Sequence, residues 1–480
     1  MKQAALPTVY RPSIRVPLLA FAAAVVIAPL TVVVPPLALL VGLSAVALVV
    51  GVYVHPPLAA YVLLVATPLV AGIDRGAVLP VVRPHEAIAL LVATGLAARG
   101  LVALVTGRAR RPGIRTLDAA IVLMAVTSSV LPLLWMAARG DSITTDDVLY
   151  ALTLWKYYGI YLIVRWSVHT EDQVRRCLWL VMAASAVVAV VAILQSLNLF
   201  GVPELLSRYY APGGRVEDFQ NFRGSSTLTY PIALADLMTF NLVIALGWFI
   251  RGERHRRTLI VAAGLFLFGI VASGQFSGVI ALFVGVVTVG LVTGCLGRLG
   301  FTVLAAAPVV GFALKPVVER RLSGFSSLGG LPLSWVSRLQ NLRTFFWPKL
   351  FANFNYVLGV RPTPLVPAPE SWGDSVWIES GHTWLLWAGG IPLFVAFFVF
   401  LWVSMRTTVR IARARTDAIG VAALASFASL MVLAFLMALD PHLTMRGSAD
   451  LLFSLLALAS VAGAGSPVAR RRWSATVEDL

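Results

Sequence analysis

The sequence predicts an all-α, polytopic transmembrane helical bundle of about 12 to 14 spans, with a large extracytoplasmic loop containing short helices. Three observations carry that expectation. The 480 residues are 59% hydrophobic and only 12% charged, with mean hydropathy +0.86, whereas soluble domains carry about 25% charged residues. Apolar runs near the ~20 residues that cross a ~30 Å hydrocarbon core recur along the chain. Period-2 alternation is absent, and backbone groups in lipid must be satisfied internally, which leaves helices.

The spans are expected to start near residues 14, 35, 57, 86, 117, 147, 177, 230, 258, 277, 300, 382, 416 and 448. Lys2, Arg11 and Arg15 precede the first, and no A-x-A-like cleavage site follows, so an uncleaved span is expected rather than a signal peptide. The divisions are N-terminal spans in 1–200, a first extracytoplasmic loop in 201–229 and central spans in 230–318. A large extracytoplasmic loop in 319–381, C-terminal spans in 382–468 and a cytoplasmic tail in 469–480 follow. Cys177 and Cys295 are far apart without metal-type spacing, and no disulfide is expected between them.

The formal net charge of +16 is mostly topological. The basic connections "GRARRPGIR" (107–115), "EDQVRR" (171–176), "RGERHRR" (251–257) and "MRTTVRIARAR" (405–415), with "ARRRW" (469–473), alternate with acidic or mixed ones such as "RGDSITTDD" (139–147). That pattern places both termini on the cytoplasmic side of the cytoplasmic membrane. No nucleic acid partner is expected; the basic clusters meet membrane lipids, at about 1 kcal/mol per residue near anionic heads.

Two loops exceed a connector's needs, and long ordered loops are commonly functional. In the second, "SWVSRLQNLRTFFW" (334–347) puts Trp335, Leu339, Leu342 and Phe346 on one stripe, a helix suited to lying flat on the outer leaflet. A proline-rich stretch then leads to His382, with Glu379 before it and Trp384, Trp387, Gly389, Gly390 and Pro392 after it. The tryptophans read as an interfacial aromatic belt; the glycines and proline read as close packing and a kink. Within spans, Lys156 and Asp236 are expected to pair with each other, a proton or ion pathway being the alternative. Asp146 and Asp147 read as a solvated loop end rather than a metal site.

Three segments carry a resemblance. They are "NFRGSSTLTYPIALADLM" (221–238), "SRLQNLRTFFWPKLFANFNYVLGVRP" (337–362) and "ESGHTWLLWAGGIPLF" (379–394). In order and spacing, across about half the chain, they resemble the O-antigen ligase and O-antigen polymerase superfamily, C-type glycosyltransferase-like membrane proteins. Thr383 stands where the family often has asparagine, and "ASGQFSG" (272–278) lacks the family's usual arginine.

The resemblance implies an enzyme that transfers a glycan from a polyprenyl-diphosphate donor to an acceptor hydroxyl on a glycan, lipid or protein. It implies no metal and no cofactor. His382, Arg338 and Arg223 match the family's catalytic positions. Arg321 and Arg343 are further candidates for the diphosphate, and Glu379 for polarising His382 or acting as base. Guanidinium suits a leaving diphosphate because it stays charged and binds phosphate oxygens in pairs; imidazole suits proton transfer near neutrality. Each has a plainer role: His382 as an interfacial residue, the arginines as membrane-surface anchors, Glu379 as a solvated carboxylate. A transporter or flippase of lipid-linked or anionic substrate is the rival class, although no internal repeat of the kind transporters often carry is visible.

Overall fold

The computed structural model describes residues 36–75, 82–107, 115–210, 223–323, 333–368 and 375–461. The chain opens with α1 (Pro36–Val54), α2 (Pro57–Val70) and α3 (Pro84–Val105). Each starts on proline, whose missing N–H falls where a helix has no partner for one. Then come α4 (Thr116–Arg139), α5 (Thr145–Ala151), α6 (Thr153–Ser167), α7 (Glu171–Ser196) and the short α8 (Val202–Tyr210). The middle of the chain forms α9 (Pro231–Ile250), α10 (Arg256–Ala272), α11 (Phe276–Thr293), α12 (Leu296–Ala313) and α13 (Lys315–Ser323). After α14 (Leu333–Asn341), a π turn over Leu342–Phe346 leads to α15 (Trp347–Phe351) and α16 (Asn355–Leu358). An antiparallel pair, β1 (Leu365–Pro367) and β2 (Ser375–Trp377), places Val366 opposite Val376. The chain then runs through α17 (Gly381–Ala414), α18 (Ala418–Leu436) and α19 (Ser448–Ala459).

The chain is an all-α multi-pass membrane protein: eight of these helices are long and apolar enough to cross a bilayer, and α1, α2 and α19 are shorter apolar helices. In α9 and α18, 83% and 78% of the most apolar window is buried, against 11% in α3 and α12. The first pair forms the centre and the second the periphery. The span expected near residue 14 and the tail 469–480 lie outside the described residues. The span expected near 147 is two helices, α5 and α6, which meet at Leu152.

One end of the bundle gathers the basic connections. There Arg165 pairs with Asp118 (2.5 Å) and Arg175 with Glu253 (2.6 Å), while Arg115 and Arg251 donate to the carbonyls of Ser460 and Ala412. The other end holds the long loops. There Asp147, fully buried, accepts from Arg361 Nε (3.0 Å) and Nη2 (2.5 Å), from Thr144 and from the Thr363 N–H. Asp147 is therefore a loop anchor, not the solvated loop end the sequence suggested.

Three other expectations are corrected. Lys156 lies 3.7 Å from Glu86, and Asp236 bonds His442 Nδ1 at 2.7 Å, so the two in-span charges do not pair with each other. Trp384 and Trp387 are buried, and Trp387 Nε1 donates to the Thr363 carbonyl at 2.9 Å, so they form no lipid-facing belt. The apolar stripe of the second loop is split, because the π turn sends Leu342 and Phe346 inward, with Phe346 5.2 Å from Trp387, while Leu339 stays 40% exposed.

The kink near Gly390 is a reversal. Gly390 has φ 65° and ψ −159° inside α17. A straight helix would separate residues 382 and 398 by about 24 Å, yet the rings of His382 and Phe398 are 6.4 Å apart. The arm 381–389 therefore folds back on the longer arm. A Cβ at Gly390 would lie 2.4 Å from the Val357 carbonyl oxygen. Gly390→Ala is expected to cost at least about 1–3 kcal/mol through backbone strain, read as a lowered unfolding midpoint in detergent; unchanged melting would refute the reversal.

Candidate functional site

A cavity of about 680 Å³ opens at the loop-bearing end. It is assembled from the starts of α3, α6 and α9, the β2–α17 connection and the turn before α19. Arg75, Arg83, Lys156 and Arg446 line it from three parts of the chain: the α2–α3 connection, α6 and the turn before α19. Their counter-ions are Asp74 and Glu86: Glu86 is shared by Arg75 (3.8 Å), Arg83 (3.5 Å) and Lys156 (3.7 Å), and Asp74 by Arg83 (3.3 Å) and Arg446 (3.7 Å). Four cations thus share two carboxylates as ion-pair partners, and the charge of Asp450 also acts on Lys156. Burial, and after it the neighbouring charges of Arg446 and Arg75, lower the Arg83 pKa from the usual arginine value. Crowded, part-desolvated cations of this kind favour an anion between them.

Below the cations the wall turns apolar. Glu86, Ala89, Leu90 and Ala93 follow one face of α3, and Lys156, Ile160 and Ile163 follow α6. Seven residues of helix carry this groove about 10 Å down from the charged rim. Leu90 is 60% exposed, so the groove reaches the outer surface of the helical bundle.

At the rim the cavity meets Glu379 and Asp440. Both are bound by Arg338 of α14, whose Nη1 lies 2.6 Å from Asp440 Oδ2 and whose Nε lies 3.5 Å from Glu379 Oε1. Asn341 Nδ2 donates to Glu379 Oε2 at 3.2 Å. Burial pushes the Glu379 carboxyl up; Arg338 opposes this and the Asp440 charge adds to it, for a net rise. Burial also raises Asp440, against the opposing charges of Arg338 and His442. Glu379 is thus a bound carboxylate on a cavity wall and not a solvated one.

Arg223 is exposed and does not line the cavity, although the charge of Arg338 acts on it. It precedes a buried stretch, 224–229, in which Ser225 and Ser226 donate their N–H groups to Gln195 Oε1, and Ser226 and Thr229 hold positive φ of 52° and 71°. That strained turn sets Tyr230 on the cavity wall, 5.6 Å from the Arg446 guanidinium. His382 sits three residues past Glu379, but its ring rests against Phe394 and Phe398, 6.0 and 6.4 Å away, and does not line the cavity. Arg343 is exposed on the π turn. Arg321 lies on α13, and its side chain is outside the described residues. Among the described residues, no group of three or more His, Cys, Asp or Glu side chains is placed to hold a metal ion.

The structure thus joins Arg338 and Glu379, adds Asp440, leaves Arg223 and His382 off the cavity wall, and reveals a cation cluster that sequence reasoning did not single out as a site. A signal for that cluster existed in "IDRG" (73–76) and "PHLTMRG" (441–447), each a charged break between apolar runs, and in Lys156, a cation inside one. No protein-family model, curated protein or solved structure matches this chain.

Proposed function

We propose that the protein is a membrane glycosyltransferase that takes a glycan from a polyprenyl-diphosphate carrier and transfers it to an acceptor hydroxyl. The observation that carries this reading is the cavity itself: a cluster of four cations, Arg75, Arg83, Lys156 and Arg446, above an apolar groove. A polyprenyl diphosphate has the matching chemistry, an anionic head on a hydrocarbon chain lying in the membrane. Guanidinium and ammonium groups fixed in place would stabilise the charge that grows on the departing diphosphate. The described basic residues Arg115, Arg175 and Arg251 lie at the opposite end of the bundle, which under the positive-inside rule supports an extracytoplasmic cavity at a cytoplasmic membrane with cytoplasmic termini. The three segments resembling O-antigen ligases and polymerases support the same chemistry, and one of their matched arginines, Arg338, binds both rim carboxylates.

The second reading, a flippase or transporter, draws on the buried Asp236–His442 pair within the bundle, since ionisable groups inside a membrane commonly mark pathways. One experiment separates the two. In cells whose only copy carries Arg83→Ala with Arg446→Ala, lipid-linked glycan is measured on each membrane face by mass spectrometry. Accumulation on the outer face with loss of the polymer or conjugate is expected. Accumulation confined to the inner face would establish transport instead, and no change would sink both. In purified protein, each substitution should weaken binding of farnesyl diphosphate by about 10- to 100-fold, the range for one charge-assisted contact.

A further inference from the structure

The cavity is electrostatically divided. Ion pairs of the cation cluster run to Asp74 and Glu86, whereas those of Glu379 and Asp440 run to Arg338. A donor held by its diphosphate on the cations therefore leaves the carboxylate rim for something neutral that donates a hydrogen bond. An acceptor hydroxyl is such a group.

We propose that Glu379 is the general base for the acceptor hydroxyl, with Arg338, Asn341 and Asp440 as its positioning residues. This rests on the transferase reading. Asp440 is unsuited to the role because its side chain is 3% exposed and committed to Arg338 at 2.6 Å. Glu379 is 30% exposed, its ion pair with Arg338 is longer at 3.5 Å, and the Asn341 amide orients its second oxygen. His382, the residue the resemblance points to, turns its ring to two phenyl rings. Burial and the Asp440 charge raise the Glu379 carboxyl toward neutrality against Arg338, which strengthens it as a base.

In the step itself, Glu379 takes the hydroxyl proton and the acceptor oxygen's electron pair forms the new bond to the glycosyl carbon. The bond from that carbon to the diphosphate breaks, and its electrons leave on the diphosphate oxygen among the cations. The proton on Glu379 then passes to solvent or to the released polyprenyl diphosphate. Donor and acceptor are thus sorted by charge within one cavity.

The test uses detergent-solubilised membranes from cells whose only copy is wild type, Glu379→Gln, Glu379→Asp or His382→Gln. The endogenous lipid-linked glycan is the donor, and released polyprenyl diphosphate is followed by mass spectrometry across pH 5 to 9. Wild type should slow as acid protonates the base, with Glu86, Asp74, Asp440, Asp450, Arg338, Arg83, Arg446, Arg75 and Lys156 as the other charged groups in and around the cavity. Glu379→Gln should lower turnover by about 100-fold, at the low end of general-base effects, and abolish the acidic limb. Farnesyl diphosphate affinity should stay within about twofold, because the cations are intact. Glu379→Asp should fall between and shift the limb. Wild-type turnover in Glu379→Gln, or loss of the limb in His382→Gln alone, would overturn the assignment. Wild-type membranes that release no polyprenyl diphosphate would overturn the transferase reading as well.

Discussion

Asp236→Ala is expected to cost the folded protein about 3–5 kcal/mol, the range for stripping one partner from a buried pair. Asp236 lies in α9, the most buried of the long helices, with His442 Nδ1 2.7 Å away and both side chains within 3% of full burial. Asp236 Oδ1 and His442 Nε2 have no hydrogen-bond partner, so the Nδ1–Oδ2 bond is the main compensation for burying both groups. Removing the carboxylate strands the imidazole between α9 and α19, where no water competes for it. The effect should appear as a lower unfolding midpoint and less membrane-inserted protein. Asp236→Asn keeps an acceptor oxygen and should cost less. The double change Asp236→Leu with His442→Phe should recover much of the loss, since well-packed apolar pairs often match buried ionic ones. If Asp236→Ala unfolds with the wild type, the pair contributes nothing to stability and its burial needs a functional cause.

The helices were legible because each apolar run is a local property of the chain. Starts expected near 35, 57, 117, 230, 277, 416 and 448 fall within two residues of the observed ones, and several are marked by proline or by a cap such as Arg115 N on Asp118. Pairing between helices was not legible, because periodicity gives a face but not its partner. Lys156 and Asp236 each showed that a charge had to be compensated, yet their partners, Glu86 and His442, lie 70 and 206 residues away in sequence. The reversal at Gly390 was visible only as a break. Its amplitude depends on α16 closing over it, where Gly359 N lies 2.7 Å from the Cβ position that Gly390 leaves vacant. The candidate site shows the same split. Arg338 and Glu379 were found from one stretch of chain, whereas Arg75 and Arg83, Lys156 and Arg446 form a cluster only after three distant segments meet.

Asp147→Ala should release the loop that closes the cavity end, at about 3 kcal/mol, the low end for a broken buried pair because Arg361 keeps 31% exposure. Asp147 holds α5 to the segment before β1 through both nitrogens of Arg361 and the Thr363 N–H. Pro362 and Pro364 of that segment line the cavity, so this anchor sets part of its wall. The pH dependence has a definite sign. Burial pushes the Asp147 carboxyl up, but the bonds from Arg361 and Thr144 outweigh it and hold it below the usual carboxylate range. A folded value below the unfolded one, about 3.9, means that the unfolded state binds the proton more readily. The anchor's stabilisation is then complete above about pH 5 and is lost as pH falls through the folded value. Hydrogen exchange at 144–147 and 361–366 should be faster in Asp147→Asn than in wild type across pH 5 to 8, and the two should converge only in stronger acid. Convergence already at pH 5 would mean that Asp147 is protonated in the folded protein and that its bond with Arg361 does not close the loop.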